Sequence, residues 1–221
     1  MSRAAMRLAL FDLDDTLLDG DITGFWNEWL IEQGWITDAA EYCRTWYSHM
    51  ADYAEGTLDM EAHLQFLLAP LAGRSVQEVA EQVDAFLDSR IMPRLFPGGL
   101  AQVAWHRHQA HTTVIISAST AQLVVPLAKR LGCDAALATA LEQEAGRYTG
   151  QARGTRTFRE GKLQALHEWL GDTPLAETWG YSDSRNDLPL LEAVEKPHAI
   201  HPDPVLAGIA RQRGWAMPSW R

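Results

Sequence analysis

Arg7 to Phe11 (RLALF) is a near-continuous apolar run that stops at a cluster of acids. An unalternating run of this length predicts a short strand covered on both faces, as in a parallel sheet. Further strand-sized runs follow at Thr112 to Ser117 (TTVIIS), around Ala135 to Leu141, at Thr178 to Ser182 (TWGYS) and at His198 to Ile200. Helical patterns lie between them: Gly98 to Gln109, Ala121 to Leu131, Gly161 to Leu170, and Asp203 to Arg213. Glycine is expected to stop these helices, for example at Gly132, Gly171 and Gly214. Strands alternating with helices predict an α/β fold with a doubly wound, mostly parallel, Rossmann-like sheet. In Gly146 to Gly154 (GRYTGQARG), glycines flank short polar and aromatic stretches and predict a small β-hairpin.

The segment from Asp19 to about Arg90 breaks the alternation, because it holds no strand-like run. Asp38 with Glu41, and Ser75 with Glu78, have capping-box spacing and mark two helix starts. Gly34, Gly56 and Pro70 supply breaks, and Val79, Val83, Phe86 and Leu87 form an apolar stripe on the last helix. The expected organisation is an α/β core from residues 1–18 and 93–221 with a four-helix cap, residues 19–92, inserted between.

A chain of 221 residues, 47% of them hydrophobic, can bury a sizeable core. Its longest apolar runs fall far short of the roughly 20 residues that a membrane helix needs. The apolar stretch behind Arg3 and Arg7 stops at Asp12, too soon for a secretory signal, so a cytoplasmic protein is expected. The formal charge of −10 disfavours a nucleic-acid or anionic-membrane surface. Cys43 and Cys133 are the only cysteines, far apart, and predict neither a disulfide framework nor a zinc site. His106, His108 and His111 surround one helix end, where a polar helix face is expected before a zinc site.

In FDLDDT, Asp12, Asp14 and Thr16 come directly after the first buried strand. Ligands of open α/β sheets bind beyond the carboxyl ends of the strands, so these side chains point toward a site. One carboxylate of such a pair can attack phosphorus while the other, protonated, serves the leaving oxygen and later activates water. Two clustered carboxylates also call for a hard cation, and their oxygens suit Mg²⁺. An Asp-rich turn capping a helix would account for FDLDDT alone. Three more features accompany it: Ser117 at a strand end with Ser119 and Thr120 at the next helix start, Lys162 at another helix start, and Asp183 and Asp187 in YSDSRND. Each has a bland reading as a cap, a solvated lysine or a turn. Their order along the chain does not.

These four elements, in this order and context, resemble the motifs of the haloacid dehalogenase superfamily over nearly the whole chain. The resemblance implies that Asp12 is the nucleophile and Asp14 the general acid/base. It implies Mg²⁺ held by the Asp12 carboxylate, the Asp14 backbone carbonyl and Asp183, with Asp187 in support. Ser117, Ser119 and Lys162 would bind the phosphoryl group, and Asn186 would fix the loop or the phosphate. Phosphatase members resemble this chain in having an acid at the Asp14 position, which disfavours dehalogenation. The helical insert resembles the small cap of the phosphoserine-phosphatase-like branch and implies a small phosphorylated metabolite as substrate.

In that branch a cap acid meets the ammonium of phosphoserine and a cap arginine meets its carboxylate. Asp21 stands at the position of the acid, but GTLDMEAHL offers Glu61 where the arginine would stand. A carboxylate there repels the phosphoserine carboxylate. Asp21 and Glu61 together favour a cationic leaving group without a carboxylate, and histidinol phosphate fits, since the branch includes bacterial members assigned as histidinol-phosphatases. Phosphoserine phosphatase and a phosphotransferase or mutase are the alternatives, and a catalytically dead binding protein is the non-enzymatic one. Trp26, Trp29, Trp35, Trp46, Tyr47 and Tyr53 are expected mostly to fill the helical core, with one or two against substrate. In HAIHPDPVL, His201 stands where the branch leads one to expect Asn.

Overall fold

The computed structural model describes residues 5–221; Arg3 and the first four residues of the expected core lie outside the described residues. The strands are β1 (Met6–Phe11), β2 (Thr112–Thr120), β3 (Ala135–Glu144), β4 (Arg147–Arg153), β5 (Leu175–Ser182) and β6 (Lys196–Ala199). They form one sheet in the order β4-β3-β2-β1-β5-β6. Among the described strands only the β3–β4 pair is antiparallel.

β1 is central, pairing Leu8 with Thr112 of β2 on one side and with Thr178 of β5 on the other. Its side chains alternate between two cores. Ala9 and Phe11 join one large cluster, and Leu8 and Leu10 pack with Val114, Ile116, Leu166 and Leu170 in a second. Burial on both faces explains the continuous apolar run. The chain leaves β1 toward β2 on one side and returns beside it as β5. That reversal is the switch point where open sheets bind ligands, and Asp12 sits on it, its N–H bonded to the Tyr181 carbonyl at 2.9 Å.

Between β1 and β2 come α1 (Ile22–Glu32), α2 (Ala39–Glu55), α3 (Met60–Leu68), α4 (Val76–Phe86) and α5 (Pro97–His108). Asp38 and Ser75 cap α2 and α4 through the N–H groups of Glu41 and Glu78. The acids of those boxes turn to arginines, Glu41 to Arg44 and Glu78 to Arg74. Val79, Val83, Phe86 and Leu87 are all buried, as their spacing predicts. A π-helical turn, Leu87–Ile91, extends α4 toward the return of the chain. The remaining helices are α6 (Ala121–Arg130), α7 (Glu160–Leu170), α8 (Leu188–Glu192) and α9 (Pro204–Arg213).

Three local expectations need correction. Gly146 to Gly154 is not a hairpin by itself; it contributes β4, the second strand of a hairpin whose first strand is β3. Ala145 and Gly146, at φ 49° and 75°, make the turn. The polar end of β3, Glu142 to Glu144, is exposed and so carries no apolar signal. The helix over Pro97–His108 is closed by Ala110 at φ 55° rather than by a glycine. Finally, the His106 side of α5 is no polar face. His106 is fully buried, with Nδ1 2.9 Å from His111 Nδ1 and Nε2 2.9 Å from the Tyr181 hydroxyl.

Candidate functional site

The loop after β1 turns sharply. Asp15 adopts φ 53°, and Leu17 N–H and Leu18 N–H both reach back to the Leu13 carbonyl at 2.9 Å. Gly20, at φ 118°, lies so close to Phe25 that a Cβ would meet the ring at 2.7 Å. The fold brings the acids of this loop against those after β5. Lys162 Nζ lies 2.6 Å from Asp12 Oδ1 and 2.6 Å from Asp187 Oδ2, with all three side chains buried. Lys162 reaches this position because α7 starts tightly over the preceding turn. A Cβ at Gly161 would fall 1.8 Å from the Arg156 carbonyl oxygen, so no larger residue fits there.

The remaining acids have defined partners. Asp14 accepts from the Ile22 N–H at 2.7 Å and from the Ser119 hydroxyl at 2.9 Å. Burial, then Asp21 and Asp12, push its carboxyl well above the usual carboxylate range. Asp187 also accepts from the Ser182 hydroxyl at 2.7 Å. Burial raises its carboxyl in spite of Lys162. Burial works against the Lys162 ammonium as well, but Asp12 and Asp187 outweigh it and hold the lysine charged.

Thr16 Oγ1 lies 3.1 Å from Asp12 Oδ2 and 3.2 Å from Asp183 Oδ1, and accepts the Asp183 N–H at 3.0 Å. One hydroxyl proton serves only one of these two carboxylates at a time. Burial and the neighbouring acids push Asp183 up to about 9. Among the described residues, no three His, Cys, Asp or Glu side chains form a ready-made metal cage. Two oxygen donors facing each other across one hydroxyl, with a cavity in front, fit a hard cation that keeps part of its water shell. The Asp14 carbonyl and water would supply the other ligands.

These residues form the floor of a cavity of about 640 Å³, a size suited to a small metabolite. Asp12, Asp14, Asp183, Asp187, Lys162, Ser119, Asn186 and Asp21 all line it. Ser117 does not. It is fully buried behind Ser119, its hydroxyl accepting the Ser119 N–H at 3.0 Å and lying 3.5 Å from Asp14 Oδ2. The hydroxyl at the cavity surface is therefore that of Ser119. Asn186 donates to the Tyr53 hydroxyl at 2.9 Å and accepts from Arg159 at 3.2 Å, tying its loop to α2. Asp21 caps α1 through the Thr23 N–H at 2.9 Å, and burial raises its carboxyl to about 6.

Glu61 is a second candidate absent from the cavity lining. It points away from the cavity and pairs with Arg156 through two contacts, 2.8 and 3.1 Å, with its side chain 61% exposed. The opposite wall comes instead from Trp46, Met50 and Tyr53 of α2 and from Met60, His63, Leu64 and Leu67 of α3. His63 and Asp203 were not foreseen. Asp203 caps α9, and its N–H binds the Asp183 carbonyl at 2.8 Å, a role that its position before Pro204 and an apolar stretch would have signalled.

The haloacid dehalogenase-like hydrolase model matches residues 9–192, which carry all four motifs. The chain belongs to this family. It is a hydrolase of the phosphatase kind, and its relatives agree. A histidinol-phosphatase of Neisseria meningitidis is 38% identical over 97% of this chain and 99% of its own. The phosphoserine phosphatase SerB1 of Mycobacterium tuberculosis is 30% identical over 96% of this chain and 70% of its own. A Bordetella pertussis protein of unknown function has the same fold at a TM-score of 0.89 and 38% identity, covering 97% of this chain and 98% of its own. A structure described as a phospho-aspartyl intermediate analogue of phosphoserine phosphatase shares the fold at 19% identity, with a TM-score of 0.66 over 99% of this chain and 95% of its own. Among the described residues no helix is long and apolar enough to cross a membrane.

Proposed function

We propose that this phosphatase hydrolyses a small phosphate monoester through an aspartyl phosphate on Asp12, and that histidinol phosphate is its substrate. In the first transfer an Asp12 oxygen bonds to phosphorus as the ester P–O bond breaks, and Asp14 gives its proton to the departing alkoxide. In the second, Asp14 takes a proton from water as the water oxygen bonds to phosphorus and Asp12 departs, releasing inorganic phosphate. The raised Asp14 carboxyl suits this double role. Lys162 keeps Asp12 oriented, while Ser119 and Asn186 line the region that the phosphoryl oxygens would occupy. Ser117 would act from behind Ser119 by fixing the position of Asp14. Mg²⁺ held by Asp12, the Asp14 carbonyl and Asp183, with Asp187 in support, would neutralise phosphoryl charge. Residues 19–92 would serve as the cap that excludes bulk water from the site.

The observation that carries the substrate reading is the distribution of charge along the lining. The lysine and arginine there, Lys162 and Arg185, belong to the end that holds the catalytic acids, whereas the wall from α2 and α3 carries neither. A carboxylate-bearing leaving group such as serine finds no arginine on that wall. A leaving group with an ammonium finds Asp21. The relative named as a histidinol-phosphatase supports the same choice.

The test is magnesium-dependent phosphate release from histidinol phosphate, phosphoserine and an aryl phosphate. Histidinol phosphate is expected to win, and Asp12→Asn to lose about 10⁴-fold or more on all three while forming no acid-labile phosphoenzyme. Retained turnover in that variant would refute the nucleophile. A preference for phosphoserine would overturn the substrate and leave the catalytic reading standing.

A further inference from the structure

His63 has no part in the chemistry just described, yet it stands in the cavity wall with only 7% of its surface exposed. It projects from α3 beside Leu64 and Leu67, which line the same cavity. Its Nδ1 lies 3.1 Å from Nδ1 of His49 on α2. One of the two must donate and the other accept, so the contact requires at least one specified tautomer. Burial, and then His49, lower His63 to about 4, which keeps the ring neutral near pH 7. With Nδ1 committed to His49, Nε2 is the hydrogen-bonding atom the ring has left.

The second histidine pair of the molecule provides a contrast. His106 meets His111 in the same Nδ1 to Nδ1 arrangement, but its Nε2 is taken by Tyr181 and the ring has no exposed surface. That pair is structural packing with every ring nitrogen of His106 satisfied. The His63 pair is built alike on one side and left open on the other.

The surroundings specify what the open side would accept. The Trp46 ring, which lines the same cavity, stacks on His63 at 5.7 Å between centroids and 30° between planes. His49 packs edge-to-face with Phe66 at 5.2 Å, and Phe66 is stacked on Tyr42 at 4.2 Å. Met50, Leu58, Met60 and Leu64 complete the wall and bring no charge.

We propose that His63 is the specificity-determining residue that reads the far end of the leaving group, selecting a planar ring with a hydrogen-bonding nitrogen. Such a ring gains apolar contact on its faces and a single directional bond at its edge. An imidazole, able to donate or accept, matches either tautomer of His63. An alkyl carboxylate would be desolvated against this wall with no cation to meet it. As a statement about catalysis the inference rests on the phosphatase reading above, but binding of the ring can be measured without turnover.

Two measurements test it on the full chain. In the first, histidine side chains are labelled with nitrogen-15 and histidinol, the dephosphorylated alcohol, is added with ethanolamine as control. The His63 Nε2 resonance is expected to shift with histidinol only, while the His106 nitrogens stay in place. Absence of a shift at saturating histidinol overturns the proposal. In the second, kcat/KM is compared for histidinol phosphate and an aryl phosphate in the wild type, His63→Leu and His63→Gln, each checked by melting temperature. The ratio should fall roughly tenfold in His63→Leu and recover in part in His63→Gln, which restores a polar edge. An unchanged ratio in folded variants refutes a specificity role. If the wild type hydrolyses no ester, the proposed function fails, and the histidinol shift still decides the role of His63. If His63→Leu fails to fold, the glutamine variant and the shift carry the decision.

Discussion

At the floor of the cavity each acid is fixed by named partners. Asp12 is held by Lys162 and Thr16, Asp14 by Ile22 and Ser119, Asp187 by Lys162 and Ser182. The wall opposite, from α2 and α3, is made of Trp46, Met50, Met60, Leu64 and Leu67, with His63 as a neutral polar group among them. The floor is specified by hydrogen bonds whose loss leaves buried charge unpaired. The wall is specified by shape and apolar area, which tolerate exchange of one side chain for another. Floor substitutions should therefore act on every substrate alike, and wall substitutions should act on one leaving group more than another.

Lys162→Met gives the largest effect among the tests of this division. It removes the cation between Asp12 and Asp187 and leaves two buried carboxylates facing each other. The expected outcome is a drop of about 10²–10³-fold in kcat, equal for histidinol phosphate and an aryl phosphate. Steady-state kinetics on both substrates check it. Unequal losses would mean that Lys162 also reads the leaving group and that the floor and wall are not separate.

The same division explains what could be read from the chain. The floor is written in contiguous strings, FDLDDT and YSDSRND, each following an apolar strand whose burial fixes where its end lies. Lys162 follows a glycine that the tight start of α7 requires. The wall is written only as helices rich in apolar and aromatic residues. Such patterns do not say which face turns to a core and which to a cavity. Trp26 and Trp46 are alike as letters, yet Trp26 packs on Phe86 at 5.1 Å while Trp46 lines the cavity. Glu61 shows the error directly. His63, Leu64 and Leu67 share one face of α3, and a residue two positions before His63 lies about 200° around the helix from it, on the far side. The hidden position of Ser117 was likewise beyond the sequence, because either of two serines at alternate positions of a strand end could face the site.

Asp21 lies where floor and wall meet, and its titration sharpens the contrast. Burial raises its carboxyl to about 6 against the bonds from Thr23 and Gly24, so it is neutral below that pH and charged above. A cationic leaving group gains from the charged form only. The ratio of kcat/KM for histidinol phosphate over an aryl phosphate should therefore rise between about pH 5 and pH 7. Ionisation of the substrate phosphates and imidazole is the same for wild type and variant, so comparison with Asp21→Asn isolates the part of the profile due to Asp21. Asp21→Asn should flatten the profile and lower the ratio at pH 7 by roughly tenfold. A profile that persists in the asparagine variant would move the titrating group elsewhere.

Glu61→Ala is the smallest effect and the most direct check that the wall ends where the fold places it. Glu61 lies in the first turn of α3, after the Asp59 cap, and its carboxylate is held by Arg156 at the surface. Exposed pairs of this kind contribute little, because water already screens both partners and ordering two long side chains costs entropy. Removing the carboxylate should change kcat/KM by no more than about twofold on any substrate. Arg156→Ala should match it, and the double variant should be no worse than either alone. A tenfold loss confined to histidinol phosphate would mean that Glu61 leaves Arg156 and swings into the cavity during turnover. The wall would then gain a charge in the working state, and selection by a neutral histidine would give way to selection by an acid.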